Sequence, residues 1–171
     1  LALHKPVTVN PDMGETDDPA KITDGKVVKG WENSFTYHTQ PEEENTEIRP
    51  YITIDLEESY DISRIHFTGL IGPDYDAGYT NTPYNVVICV SNDPEFEDES
   101  TKVIYNTDES DFFGFGIGSD TAEPSLIEGK DINFEQTNAR YVRYYQHGSN
   151  MSDRPKNYWP NSMGLCELEV Y

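Results

Sequence analysis

Hydrophobic and polar residues alternate, or nearly so, along Tyr51-Ile52-Thr53-Ile54-Asp55-Leu56 and again along Ile62-Ser63-Arg64-Ile65-His66-Phe67. A period of two puts every second side chain on the same side of an extended backbone, so each stretch predicts a strand with one face buried. Tyr84 to Ser91 (YNVVICVS) is a continuous apolar run and predicts a buried strand. Further strand-like runs lie at Lys102 to Tyr105, Ile132 to Phe134, Arg140 to Gln146 and Leu165 to Tyr171, separated by Gly, Pro, Asn and Asp clusters that mark turns. No segment carries a sustained 3.6-residue apolar stripe, so helices are not expected. Short strands joined by long polar loops predict an all-β fold, an antiparallel β-sandwich or jelly roll whose two layers pack face to face. In such a fold, function sits in the loops at one end.

Composition narrows the picture. A chain of 171 residues suits one domain with a sizeable core. The twelve Tyr against seven Phe and two Trp suit strands and wet binding faces. No apolar run approaches the roughly 20 residues that a membrane helix needs. The chain opens abruptly at Leu1 and stops at Tyr171 in a strand-like run, which reads as a single domain, residues 1–171, cut from a larger multidomain protein and monomeric within it.

The balance of 32 acidic and 12 basic residues gives a formal charge of −20, which would repel nucleic acid and anionic lipid surfaces. Both are excluded as expected partners. The acid is concentrated in PEEENTE (Pro41 to Glu47) and DPEFEDES (Asp93 to Ser100), which read as solvated loops. A cation remains a plausible ligand. Cys89 and Cys166 both lie in apolar runs and are expected as buried free thiols. No nucleophile elbow, His-Glu-x-x-His, Cys-x-x-Cys or Walker motif occurs, and the glycines of DFFGFGIGSD lack the Lys-Ser or Lys-Thr of a phosphate loop. Catalysis is not expected.

LALHKPVTVN, PAKITDGKVVKGW, YITIDLEESYDISRIHF, NARYVRYYQHGSN and the closing CELEVY follow one another along the chain, with VSNDPEF, VIYNTDESDFFGFGIGSD and EGKDINF between them. In that order they resemble the discoidin domain, also called coagulation factor V/VIII type C, and its bacterial form, carbohydrate-binding module family 32. The resemblance covers nearly the whole chain. It implies a discoidin-like jelly roll that recognises a ligand with loops at one end, usually a sugar in bacterial members and lipid or protein in animal ones.

The resemblance also implies a structural Ca²⁺. Its ligands would be the Asp24 carboxylate, the main-chain carbonyls of Lys21, Lys26, Lys29 and Cys166, and Glu167. Calcium takes six to eight oxygen ligands and accepts carbonyls readily. One departure stands out: the family commonly has Thr or Ser at the position of Lys29, where a hydroxyl can ligate. Asp24-Gly25 also reads as a plain turn, Asp capping and Gly bending.

Met151 to Met163 is longer than the matching excursion in related domains and carries Arg154, Asn157, Tyr158 and Trp159. A pyranose shows an apolar C–H face ringed by hydroxyls, so its binder needs an aromatic plate and fixed polar groups. Trp159 is the candidate plate, and Arg154 and Asn157 are candidate polar partners; Tyr158 and Trp159 could equally cap the core. His38 lies where fucose- and galactose-binding relatives often use a His. Tyr75, Tyr79 and Asn81 lie in a loop that lacks the Arg of many galactose binders. The fucose-lectin pattern is missing too, so the resemblance does not name the sugar.

The function implied is a noncatalytic module that tethers a bacterial secreted or surface glycan-active enzyme to glycans, galactose-type or N-acetylated sugars foremost. Its place would be extracellular or on the cell surface. The alternative is a protein-interaction or spacer module without a sugar site.

Overall fold

The computed structural model describes residues 1–38, 48–78, 80–151, 158–159 and 162–171. Strands run at Val7–Val9 (β1), Phe35–His38 (β2), Tyr51–Gly69 (β3), Asn81–Pro83 (β4), Val86–Ser91 (β5), Lys102–Asn106 (β6), Lys130–Gln146 (β7), Ser149–Met151 (β8), Tyr158–Trp159 (β9) and Ser162–Val170 (β10). The described helices are single 3₁₀ turns, such as Pro11–Met13 and Pro19–Thr23. Each of these two has Pro near its start and an Asn or Asp side chain capping the N-terminus. No helix among the described residues is long and apolar enough to cross a membrane.

A seven-stranded sheet has the order β2-β10-β3-β7-β5-β6, with β1 on β3, and a three-stranded sheet has the order β4-β8-β9. All pairings are antiparallel. The larger sheet curls over on itself. The first part of β3 lies between β1 and β7, with Ile54 opposite Val7 and Val142, and its last part lies between β10 and β7, with Ile65 opposite Val170 and Ile132. Between these parts the β3–β7 register shifts at Asp55/Tyr60 and at Ile62/Arg64. Extra residues on one strand bend and twist a ladder, which lets it turn a sandwich corner without breaking. The proof is in the packing: the Phe67 ring of β3 lies 6.0 Å from that of Tyr105 in β6, three places away in the sheet order.

The alternation read from the sequence is therefore right, but its division is not. Tyr51–Leu56 and Ile62–Phe67 belong to one continuous strand, which stays in the ladder through a bulge where Glu57 turns left-handed at φ 70°, and Ile132–Phe134 and Arg140–Gln146 likewise belong to one strand. The run at Tyr84 starts two residues late, since Asn85 takes a left-handed turn at φ 46°.

One apolar cluster fills the fold, with Ile52, Ile54, Ile65, Ile88, Val142, Tyr144, Leu165 and Leu168 among its buried members. Burying each such side chain contributes roughly 1.5–3 kcal/mol before entropic costs. β5 is buried on both faces. Its other face, Val87 and Cys89, joins Phe96, Phe113 and Tyr145 in a second cluster on the outside of the sheet, with Tyr51, Phe112 and Phe115 packed on it. The loops after β5 and β6 thus cover the sandwich. Both cysteines are buried free thiols, and burial pushes the Cys89 thiol up to about 12.

Candidate functional site

The ladders place one set of loops at a common end. β2 finishes at His38 opposite Ser162, where β10 begins; β3 begins at Tyr51 opposite Tyr145, and β5 begins at Val86 opposite Gln146. The chain after Gly69, before Asn81, after Asn106 and after Gln146 emerges at this same end. Tyr84 N–H donates to Gly148 O at 2.9 Å and Gly148 N–H to Ser162 O at 3.0 Å, closing β4, β8 and β10 together.

Most of the sequence-predicted binding residues converge there. Tyr158 and Trp159 form β9, paired with Asn150 and Ser149 of β8. Tyr75 is half-buried; its hydroxyl accepts from Ile127 N–H at 3.3 Å, and the Lys29 ammonium lies 5.6 Å from its ring. Asn81 is 6% exposed and donates from Nδ2 to Leu70 O at 3.4 Å, which ties it to the base of the loop. Tyr79, Arg154 and Asn157 lie outside the described residues.

The carboxylate pair sits elsewhere, where the Pro19–Thr23 turn meets β10. Glu167 is 3% exposed, and its two oxygens accept from Gly25 N–H at 3.3 and 3.2 Å. Burial pushes its carboxyl up to about 8, helped by the nearby Asp24 and Glu169 carboxylates and opposed by main-chain N–H groups of Gly25 and Lys26. Gly25 has φ 79°, and a Cβ there would lie 2.9 Å from Leu3 Cδ1. Glycine takes that left-handed turn without strain, whereas a side chain there would have to displace the end of Leu3. Asp24 accepts from Lys26 N–H at 2.9 Å and from Lys26 Nζ at 3.0 Å. The Lys29 ammonium pairs with Asp76 instead of pointing at the carboxylates, while Lys29 O accepts from Asn33 Nδ2 at 2.9 Å. The Cys166 thiol reaches Lys26 O at 3.7 Å, and Lys21 Nζ donates to Ser34 O at 3.2 Å.

These residues fit a hard cation in part. A buried carboxyl with no cationic side chain paired to it among the described residues, the nearby Asp24 carboxylate paired only with the exposed Lys26, and carbonyl-bearing turns around both make an oxygen-rich donor set. No cluster of three or more His, Cys, Asp or Glu suited to a metal occurs among the described residues, so main-chain carbonyls would have to supply much of the shell.

No family model matches the chain, and no curated protein matches it. Solved structures do. A family 32 module from a family 31 glycoside hydrolase of Clostridium perfringens matches with a TM-score of 0.59 at 18% identity, over 99% of this chain and 96% of that one. Chitosan-binding module 2 of a chitosanase/glucanase from Paenibacillus sp. IK-5, solved with chitotriose, matches with a TM-score of 0.55 at 23% identity, over 99% and 98%. The family 32 module of AlyQ, solved with 4,5-unsaturated mannuronic acid, matches with a TM-score of 0.57 at 16% identity, over 97% and 93%. The chain therefore has the fold of the family 32 carbohydrate-binding modules, the discoidin-like jelly roll.

Proposed function

We propose that this chain is a noncatalytic carbohydrate-binding module acting at its loop end, attached to a secreted or surface glycan-active enzyme of a bacterium. The observation that carries the reading is convergence: the ends of β2 and β3, the turn at Tyr75 and the β8–β9 hairpin bearing Tyr158 and Trp159 all open on one end of a sandwich shared with sugar-binding modules. Tethering raises the local concentration of glycan at an attached enzyme without any new catalytic group. Ca²⁺ held by Asp24, Glu167 and the carbonyls of Lys21, Lys26, Lys29 and Cys166 is part of this proposal. Bound there, it would neutralise the two carboxylates and brace the turn against β10.

The test uses the fluorescence of Trp159. Trp31 is the second tryptophan and 39% exposed, so Trp31→Phe isolates the signal. A galactose-type or N-acetylated sugar should then change the emission saturably, at millimolar to high micromolar affinity, or about 4 to 6 kcal/mol. Trp159→Ala should remove binding and leave the melting temperature almost unchanged. A large fall in stability with sugar binding intact would make Trp159 a cap on the core.

A further inference from the structure

We propose that residues 24–33 form a strap that couples the Asp24–Glu167 carboxylates to the 70–78 loop carrying Tyr75, so that cation binding at the carboxylates tightens sugar binding at the loop end. The inference rests on both parts of the proposed function and adds the link between them.

The strap is anchored at the carboxylates by its first residues. Gly25 N–H donates to both oxygens of Glu167, at 3.3 and 3.2 Å, and Lys26 N–H donates to Asp24 Oδ1 at 2.9 Å. The Cys166 thiol, beside Glu167 on β10, reaches Lys26 O at 3.7 Å and Val28 O at 3.9 Å. The other end of the strap lies on the 70–78 loop. Gly30 N–H donates to Ile71 O at 3.0 Å, and both residues are buried. The Trp31 ring packs on Gly72 so closely that a Cβ there would lie 2.9 Å from Trp31 Cη2, and Gly72 O accepts from Tyr75 N–H at 3.3 Å. Between these ends Lys29 crosses to the same loop, where its ammonium pairs with Asp76 and lies 5.6 Å from the Tyr75 ring.

Tyr75 thus depends on the strap from two sides, its main chain through Gly72 and its ring through Lys29, while its hydroxyl is held separately by Ile127 N–H at 3.3 Å. Residues 25–28 are exposed, so the strap is positioned from its two ends. Lys26 and Lys29 would face the cation through their carbonyls, and Lys29 faces the loop through its side chain. Asn33 Nδ2 donates to Lys29 O at 2.9 Å and braces the bend between the two. An exposed ion pair such as Lys29–Asp76 contributes little to overall stability, which suits it to positioning. Ordering the strap at one end lowers the cost of ordering it at the other, which gives positive coupling between two ligands that never touch. Such coupling is reciprocal.

The test measures sugar affinity by ¹⁵N NMR, with methyl β-galactopyranoside and N-acetylglucosamine, in saturating Ca²⁺ and in EDTA. Affinity should be at least about fivefold higher in Ca²⁺. Ca²⁺ without sugar should shift the amides of Gly72, Tyr75 and Asp76 as well as those of Gly25 and Lys26. Asp76→Ala, at an exposed position outside both sets of proposed ligands, should keep the rise in melting temperature with Ca²⁺ and abolish the difference in sugar affinity. Gly72→Ala, which displaces the Trp31 ring, should weaken the same difference through another contact. Equal sugar affinity in Ca²⁺ and EDTA would overturn the strap and leave the loop-end site standing. A difference that survives both substitutions would overturn it too, because the coupling would then run through other residues. Absence of any response to Ca²⁺ would overturn the strap together with the metal site, and absence of sugar binding in every condition would overturn it together with the loop-end site.

Discussion

Arg143 and Glu167 are both charged side chains withdrawn from water, at 8% and 3% exposure, and the protein treats them in opposite ways. Arg143 is saturated. Its Nε donates to Thr53 Oγ1 at 2.8 Å, its other nitrogens reach Pro94 O at 2.8 Å and Glu95 O at 3.4 Å, and its guanidinium lies 4.1 and 4.2 Å from the rings of Tyr51 and Phe96. Glu167 is raised to about 8 by burial first and by the nearby Asp24 and Glu169 carboxylates, against the opposing main-chain N–H groups of Gly25 and Lys26. A buried charge is costly unless paired and hydrogen-bonded. A cation with its donors spent on carbonyls and aromatic faces is a structural tie, here between the 93–96 loop and the outer face of the sheet. A buried carboxyl beside another carboxylate lacks such a tie, and the proposed Ca²⁺ would supply one.

The largest expected effect breaks the first half of this comparison. Arg143→Ala removes four hydrogen bonds from a charged donor and its contacts with the Tyr51, Phe96 and Tyr145 rings, so it should cost about 3 kcal/mol in denaturant unfolding. The loop it holds covers Cys89, so the same substitution should speed native-state labelling of Cys89 while leaving Cys166 slow. Arg143→Lys keeps the charge and loses the planar fork, and should recover less than half of the loss. A cost below about 0.5 kcal/mol for Arg143→Ala, the range of ordinary surface substitutions, would make the outer face a passive cover.

The next effect tests the second half through its sign. A ligand bound by the native state alone adds about 2.7 kcal/mol at a concentration of 100 Kd. Saturating Ca²⁺ should therefore raise the melting temperature, EDTA should reverse the rise, and Asp24→Ala should abolish the response. Glu167→Gln should destabilise in Ca²⁺ because a ligand is lost. In EDTA near neutral pH it should be close to neutral, because a carboxyl raised to about 8 is already largely protonated and the amide keeps an oxygen to accept from Gly25 N–H. The same sign in both conditions, or a melt of metal-loaded protein that ignores EDTA, would leave Glu167 without a metal role.

The contrast also shows what the sequence could and could not say. Ile52, Ile54, Val142 and Tyr144 were legible because period-two alternation reports a face directly, and the turn at Asp24-Gly25 because an Asp-Gly pair suits a capped turn with the glycine at positive φ. The corners of β3 and β7 were not, since the sequence reads as strand on either side of each bulge and the bulge shows itself only in the partner's register and, in β3, in the left-handed φ of Glu57. The Arg143 tie was hidden for a similar reason: its partners come from residues 51, 53 and 94–96, and nothing near Arg143 in the chain marks it as buried. Tyr158 and Trp159 drew notice because they adjoin each other within a polar stretch, and the structure pairs them with Asn150 and Ser149 in β9.

The smallest effect serves as the exposed counterpart of both buried charges. Arg140 holds Asp55 with a forked pair, Nε to Oδ1 at 2.7 Å and Nη2 to Oδ2 at 2.8 Å, at the β3–β7 corner, where both side chains are partly open to water. The Arg140 hydrogen bonds keep the Asp55 carboxyl below its usual range, ahead of the opposing effect of desolvation. A carboxyl whose pKa is lower folded than unfolded contributes stability above its unfolded value, near ~3.9, and loses it as pH falls through the folded one. Wild type should therefore melt slightly above Asp55→Asn near neutral pH, and the gap should close below about pH 4, where the unfolded-state carboxyl takes up its proton first. Added salt should shrink the gap at neutral pH, because an exposed pair is screened where a buried one is not. A gap that persists unchanged at low pH and high salt would mean that Asp55 acts through its other bond, the one its Oδ1 accepts from Glu57 N–H at 2.7 Å, and that the corner is held by backbone capping rather than by charge.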